Sequence, residues 1–358
     1  MSHDKLTILY AEDVSTFQAR TTQEALPYRL DLLRTHGWGV TAVDGTPAPD
    51  QGRATPLAVV QRRMPASVRM LLRARRLIFA RQATTLAVFE SQGHLLALAR
   101  TVLPWLRSRG RLFIVVCWLS ERLPDLPRWR LLLLRTVYRG VDGVLFYSPN
   151  QGALLHRYLG VPHHKLHAVR FGIDLHEFPV TGRARQPFAL SVGRDRGRDW
   201  KTTFEAVRGT GIPLKVLCRP KELAGLEVPE EVQVLGYVAR ERYIELVQTC
   251  RVVLLLTHDL AYPTGQSVLL EAMAAETCCV VSQTAALQEY FGPGPTMLAA
   301  PVGDAAGART QLLTAWDDDS LRTTIGRAAA LDVRQRGSAQ VMCAEMDAVL
   351  RIGGGPCE

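Results

Sequence analysis

Val252-Val-Leu-Leu-Leu256, Tyr262-Pro-Thr-Gly-Gln-Ser-Val-Leu-Leu-Glu-Ala-Met-Ala274 and Cys279-Val-Val-Ser282, in that order, decide the fold. The first run is short and wholly apolar, which predicts a buried strand. A loop holding Pro263 and Gly265 follows, then a helical pattern from Ser267 to Ala275, then a second apolar run. Strand, helix and strand in this order form a unit whose two strands lie parallel, with the helix covering one face of the sheet.

The same alternation extends outward in both directions. Downstream of residue 187, strands are predicted at Phe188 to Val192, Leu214 to Cys218, Val232 to Leu235, Val252 to Leu256 and Cys279 to Ser282, with helices at Lys201 to Arg208, Glu241 to Thr249, Ser267 to Ala275 and Ala305 to Thr314. Upstream, strands are predicted at Leu6 to Tyr10, Val40 to Val43, Leu86 to Phe89, Leu112 to Cys117, Val144 to Tyr147 and Leu166 to Val169, with helices at Thr22 to His36, Gly93 to Arg107 and Asn150 to Leu159. Pro179 to Pro187 has no large apolar residue after Val180 and reads as a linker. The expected class is therefore α/β: two doubly wound, Rossmann-like domains, residues 1–182 and 183–358, facing a cleft, with ligands at the carboxyl ends of the strands. Leu321 to Ile352 follows the last predicted strand as helix, and it either packs on an outer face or crosses back to the first domain.

Length and composition agree with this. The chain has 358 residues, 47% hydrophobic and 22% charged, enough apolar material for two cores. Seven cysteines with no C-x-x-C spacing read as reduced thiols of a cytoplasmic protein. No apolar run approaches the roughly 18 to 20 residues of a membrane span, and no signal peptide opens the chain. Residues 1–186 hold 26 Lys and Arg against 13 Asp and Glu, whereas the remainder holds 17 against 21. The basic half meets something anionic or simply carries an arginine-rich surface.

Two windows point to chemistry. Thr264, Gly265, Gln266 and Ser267 stand where a loop enters a helix, so small residues, free backbone N–H groups and the helix dipole converge on a site for a diphosphate. Glu271, one turn further on, can accept from ribose hydroxyls. The alternative is an ordinary capped helix. The second window is Val192-Gly-Arg-Asp-Arg-Gly-Arg-Asp-Trp-Lys201, which places Arg194 and Lys201 after the first strand of the second domain. Cations there can neutralise a departing diphosphate, and the alternative is a solvated basic turn.

Taken in order, these elements resemble the retaining glycosyltransferases of family 4, a GT-B family. Arg170-Phe-Gly-Ile-Asp-Leu-His-Glu-Phe178 is similar to that family's hinge-adjacent segment. Val192-Gly-Arg194 with Lys201 is similar to its Gly-Arg…Lys element, Val234-Leu-Gly-Tyr-Val238 to its base-contacting segment, and Gln266 to Ala274 to its Leu-Glu-Ala-Met-Ala helix. The resemblance implies a retaining hexosyltransferase using a nucleotide sugar, a UDP-sugar by expectation, and an acceptor of unknown identity bound by the first domain. It implies that Arg194 and Lys201 hold the diphosphate and that Glu271 binds ribose. Backbone N–H groups of Ser267 and Val268 would contact phosphate, and Gly236 and Tyr237 would line the base pocket with Arg219 beside it. Gln266, Gly265 and Thr264 belong to the same donor site. No metal and no separate cofactor are expected.

The chain departs from the family in three places. Pro263 occupies the position of the first glutamate of the family's carboxylate pair, leaving Asp259, Thr264 or Gln266 for the sugar. Glu276 stands where a glycine usually caps the helix. The first loop, Ala11 to Phe17, lacks glycine, and Cys117-Trp-Leu-Ser120 lacks the histidine often found there. These departures keep two other readings open: a nucleotide-sugar epimerase on the same fold, or a nucleotide-sugar-binding protein with little catalysis. His94 is a further cleft candidate beside a structural reading. His163, His164 and His167 read as a solvated turn, and Asp317 to Asp319 as a helix cap.

Gln61 to Gln82 carries Arg62, Arg69, Arg73 and Arg76 at helical spacing beside Met70, Leu71, Ala74, Leu77 and Ile78. Such a helix suits peripheral contact with an anionic membrane or the holding of an anionic acceptor, or else it is a core helix with a basic solvent face. Nucleic acid is disfavoured because only Phe79 is available there to stack.

Overall fold

The computed structural model describes residues 4–10, 25–45, 65–78, 83–193 and 195–352. It divides into two compact units, residues 1–169 with 343–358, and residues 170–342.

In the first unit six strands, β1 (Asp4–Tyr10), β2 (Trp38–Asp44), β3 (Ala83–Ala87), β4 (Gly110–Val116), β5 (Gly143–Phe146) and β6 (Leu166–Ala168), form one parallel sheet in the order β2-β1-β3-β4-β5-β6. Helices α1 (Ala66–Ile78), α2 (Glu90–Val102), α3 (Leu119–Arg122), α4 (Arg128–Arg139) and α5 (Pro149–Leu159) belong to the same unit. Leu112, Ile114 and Val116 of β4 pack with Leu96 and Ala97 of α2 and Val137 and Tyr138 of α4 in its core.

The second unit repeats the plan with β7 (Gln186–Val192), β8 (Leu214–Leu217), β9 (Val232–Val234), β10 (Cys250–Leu255), β11 (Cys278–Ser282) and β12 (Leu298–Ala300), all parallel in the order β12-β11-β10-β7-β8-β9. Its helices are α6 (Trp200–Val207), α7 (Arg240–Thr249), α8 (Gln266–Ala274), α9 (Ala305–Asp317) and α10 (Asp319–Arg336). Arg185, at the foot of β7, donates to the carbonyls of Gln248, Ala275 and Glu276 at 2.8 to 2.9 Å, satisfying the exposed ends of α7 and α8. Glu276 sits in the left-handed region (φ 54°) where the family pattern has glycine.

Three expectations need correction. The helix foreseen over Thr22–His36 is, over its described residues, a 3₁₀ segment, Pro27–His36, kinked by positive φ at Tyr28 and Arg29. Pro27 supplies no N–H, and Asp31 accepts instead from the Leu26 N–H at 2.9 Å. Leu321–Ile352 is two helices, α10 and α11 (Ala339–Arg351), because Gly337 and Ser338 interrupt it. The boundary drawn at 182/183 falls inside the second unit. Residues 172–173 are tied into that unit: Ile173 donates to Gly337 O at 3.0 Å and accepts from Ala339 N at 2.8 Å. The last turns of α11, from Cys343, belong to the first unit, where Trp38 Nε1 donates to Asp347 at 2.6 Å and Arg351 bridges Asp4 and Asp347.

The basic helix is also clarified. Met70 and Ala74 of α1 are core residues with Leu71 packed against them, so this described part of the apolar stripe faces the core. Arg69 donates to Gly45 O and Arg73 pairs with Asp44 at 2.9 Å. Arg62 and the side chains of Arg76, Leu77 and Ile78 lie outside the described residues.

A Cβ on Gly172 would stand 2.1 Å from Ser338 O and 2.9 Å from Ala339 N, both backbone atoms. Gly172→Ala is therefore expected to cost about 1 to 3 kcal/mol by overpacking. Equilibrium urea unfolding checks this, and an unchanged midpoint would show that the 172–338 contact is dispensable.

Candidate functional site

Parallel order puts the carboxyl ends of all six strands of the second unit on one edge, and the loops leaving β7, β8, β9 and β10 carry the candidate residues. The loops after β7 and β10 are laced together: Asp199 N donates to Leu256 O at 3.1 Å and His258 N to Gly197 O at 2.9 Å. Through this lacing Arg198 reaches Thr264, its Nη1 lying 2.9 Å from Thr264 Oγ1 and its Nε 2.7 Å from Val192 O. Thr264 Oγ1 donates in turn to Asp195 at 2.8 Å. The Arg198 side chain is only 5% exposed, and burial lowers its pKa while Asp195 opposes the shift.

The glycines here are demanded by close approach. A Cβ at Gly193 would meet the Arg198 side chain at 2.2 Å, and one at Gly197 would meet Thr264 Oγ1 at 2.4 Å. Gly265 adopts φ 87° as the residue before α8, a conformation that favours glycine. Its carbonyl accepts from Leu269 N, so the N–H groups of Ser267 and Val268 precede the helix's own ladder and face the loop region. Gln266 Oε1 is buried without a partner.

Glu271 is buried on α8. One oxygen accepts from Arg240 at 3.0 Å, the other from the Tyr243 hydroxyl. Arg240 also pairs with Glu177, and its guanidinium lies over the rings of Phe178 and Tyr243 at 5.0 and 5.2 Å. Burial raises the Glu271 pKa above the ordinary carboxylate range, opposed by Arg240 and by the Tyr243 hydrogen bond.

The structure thus brings Thr264, Gly265, Gln266, Ser267 and Val268 together with Arg198, and it holds Glu271 one turn beyond them. Gly236 (φ 66°) and the exposed Tyr237 follow β9, and Arg219 follows β8, pairing with Glu222 at 2.6 Å. Arg194 lies outside the described residues. Lys201, in the first turn of α6, has a 75% exposed side chain that lies 3.9 Å from Glu205. Asp199 caps that helix, so Trp200 and Phe204 turn to the core and Lys201 to solvent. Sequence reasoning missed Arg198, Arg240 and Tyr243. The signal for Arg198 was its place directly before the capping Asp199.

In the first unit the histidine candidate turns out otherwise. His94 Nε2 is buried without a partner and its ring meets Tyr138 edge-on at 5.7 Å. Burial pushes its pKa down to about 4, which favours the neutral ring. The segment Cys117–Leu119 is organised instead by Glu90, whose Oε1 accepts the N–H groups of Cys117, Trp118 and Leu119 at 2.7 to 2.8 Å. His163 stacks on His156 at 4.0 Å, and among the described residues no three His, Cys, Asp or Glu side chains converge for a metal. Asp318 caps α10 by accepting from Leu321 N at 2.8 Å. No described helix is long and apolar enough to cross a membrane.

Residues 218–332 match the family described as glycosyl transferases group 1. In structure, the chain is similar to sucrose-phosphate synthase from Thermosynechococcus elongatus (TM-score 0.69, 15% identity, 98% of each chain covered). It is likewise similar to Anabaena HepE in complex with UDP and glucose (TM-score 0.65, 13% identity, 98% of this chain and 100% of that one). A glycosyltransferase from Rickettsia africae superposes at TM-score 0.67 with 10% identity over 98% and 99%. The fold is GT-B. No protein of curated function matches the chain in sequence. The family match, which spans α7, α8 and their buried ion pair, supports glycosyl transfer as the activity.

Tyr243→Phe removes one hydrogen bond to a buried carboxylate and is expected to cost about 1.5 to 3 kcal/mol, read as a lower urea midpoint. The folded chain holds the Glu271 proton more tightly than the unfolded chain, so this group favours folding as pH falls through its raised pKa and opposes it above. Glu271→Gln should flatten that part of the stability profile. An unchanged profile would mean that the carboxyl titrates normally.

Proposed function

We propose that this chain is a retaining glycosyltransferase of the family 4 type, moving a hexose from a nucleotide diphosphate sugar, a UDP-sugar by first choice, to an acceptor bound by the first unit. The observation that carries the reading is the group 1 glycosyltransferase match over residues 218–332, which includes the Thr264–Val268 helix start and Glu271. The complexes of HepE with UDP and with UDP-glucose, on the same fold, favour uridine.

In this reading the departing diphosphate lies at the start of α8, where the N–H groups of Ser267 and Val268 and the helix dipole favour an anion. Arg198, whose Nη2 no described residue engages, supplies positive charge beside Thr264, and Arg194 and Lys201 add to it. These groups neutralise charge as it grows on the leaving oxygen, so the proposal calls for no metal. Glu271 serves the ribose, with Arg240 and Tyr243 holding its carboxylate in place.

Incubation with UDP-, GDP- and ADP-sugars, followed by measurement of released sugar and nucleotide, tests the assignment. Slow hydrolysis of one donor is expected, with the product anomer matching the donor. Calorimetric donor binding with neither hydrolysis nor transfer to any acceptor would leave a binding protein instead, and isomerisation of the sugar without an acceptor would indicate an epimerase.

Arg198→Ala should lower kcat by about a hundredfold or more, with a smaller change in KM, because the charge it opposes is greatest in the transition state. Arg198→Lys keeps the charge but loses the fork, and it should fall between. A raised KM at constant kcat, in a variant whose circular dichroism is unchanged, would make Arg198 a ground-state contact only.

A further inference from the structure

Helix α4 has two apolar faces. Its inner face, Leu131, Leu134, Val137 and Tyr138, packs into the core of the first unit. Its outer face shows Trp129, Leu132 and Leu133 to solvent, with Trp129 61% and Leu132 60% exposed. A surface helix ordinarily turns polar residues outward, so this second face has no purpose within the unit.

The neighbouring element repeats the anomaly. At the end of α2 and in the 3₁₀ turn Pro104–Arg109, Val102, Leu103 and Trp105 are exposed, Trp105 by 56%. Thr101 Oγ1 donates to Thr136 O at 2.9 Å and Arg107 Nη2 to Arg139 O at 2.8 Å, so this edge is fastened along α4. Two indoles and four aliphatic side chains thus lie exposed on adjoining elements, more than scattered surface apolar residues require.

Charge identifies the occupant. Helix α4 carries Arg128, Arg130, Arg135 and Arg139 and no acid. Each exposed indole lies under a guanidinium: Arg130 over Trp129 at 5.0 Å and Arg109 over Trp105 at 5.7 Å. Indoles at the level of lipid headgroups, with arginines reaching phosphate and aliphatic side chains below, is the composition of an interfacial helix on an anionic bilayer. A second copy of the chain fits poorly, since a self-complementary contact would set arginines against arginines with no acid on the helix.

We infer that the outer face of α4, with the end of α2 and the 3₁₀ turn after it, docks the protein on an anionic membrane surface. The docking face is distinct from α1, whose Met70 and Ala74 are buried in the core. It needs neither donor nor acceptor, so its failure would leave the transferase reading standing.

The test is co-sedimentation of the full-length protein with phosphatidylcholine vesicles containing increasing phosphatidylglycerol, with indole fluorescence read in parallel. Binding should rise with phosphatidylglycerol, fall with salt and shift the emission to the blue. The double variant Trp105→Ser with Trp129→Ser should bind at least about tenfold more weakly and lose most of the shift. Arg128→Gln with Arg139→Gln should weaken binding about thirtyfold, from roughly one kcal/mol for each arginine near the surface. Hydrolysis of soluble donor by both variants should match that of the wild type, showing that they fold. No binding at low salt to vesicles half composed of phosphatidylglycerol would overturn the inference, as would binding that neither variant alters. Concentration-dependent dimers in the ultracentrifuge, abolished by Trp129→Ser in the absence of vesicle binding, would assign the face to a second copy.

Discussion

A parallel sheet must be covered on both faces, and this requirement places every group of the candidate site. Covering helices return the chain from the carboxyl edge to the amino edge, so each strand of the second unit ends beside the start of a helix. Unbonded N–H groups and small residues then collect on one edge and unbonded carbonyls on the other. Arg185 serves the carbonyl edge, donating into the ends of α7 and α8. At the N–H edge of α8, Gln266 N donates to Pro263 O at 3.2 Å, and the N–H groups of Ser267 and Val268 that follow stand where a helix start favours an anion.

The ion pair inside the unit rests on the same geometry. Glu271 is carried into the interior by its place one turn along α8, where an isolated carboxylate would be expensive. Arg240 comes from the first turn of α7 and Tyr243 from the next, two neighbours on one helix face that reach the two oxygens separately. Arg240 remains half-exposed and answers Glu177 as well, so the buried carboxylate connects through it to the surface. A group held this rigidly can present its remaining lone pairs to a ligand without reorganising.

What the sequence made legible follows from how local each signal is. Strands such as Val252 to Leu256 are set by runs of apolar residues buried on both faces, and they fell within a residue or two of expectation. β12 escaped because Leu298-Ala-Ala300 holds no β-branched or aromatic residue to mark a strand. The site was half legible. The Thr264–Glu271 window is contiguous and readable, whereas Arg198 joins it only through hydrogen bonds to a loop 66 residues away. The sequence reading named Lys201 and passed over Arg198, because spacing along the chain does not show which cation reaches the Thr264 loop. The cap at Asp199 turns one inward and the other out.

The basic excess of the first half shows the same limit from another side. A count of charges treats all arginines alike, yet the structure spends many of them on backbone carbonyls. Arg100 is buried on Gly140 O, Gly110 O and Asp142, Arg107 holds the carbonyls of Arg100 and Arg139, and Arg69 holds Gly45. Arginine suits this work because its planar fork reaches several acceptors at once and stays charged in the interior. Net charge therefore reports an upper bound on what the surface can offer an anionic partner. The arginines that matter for such a partner are those left beside exposed indoles, and only the fold distinguishes them from arginines that close helix ends.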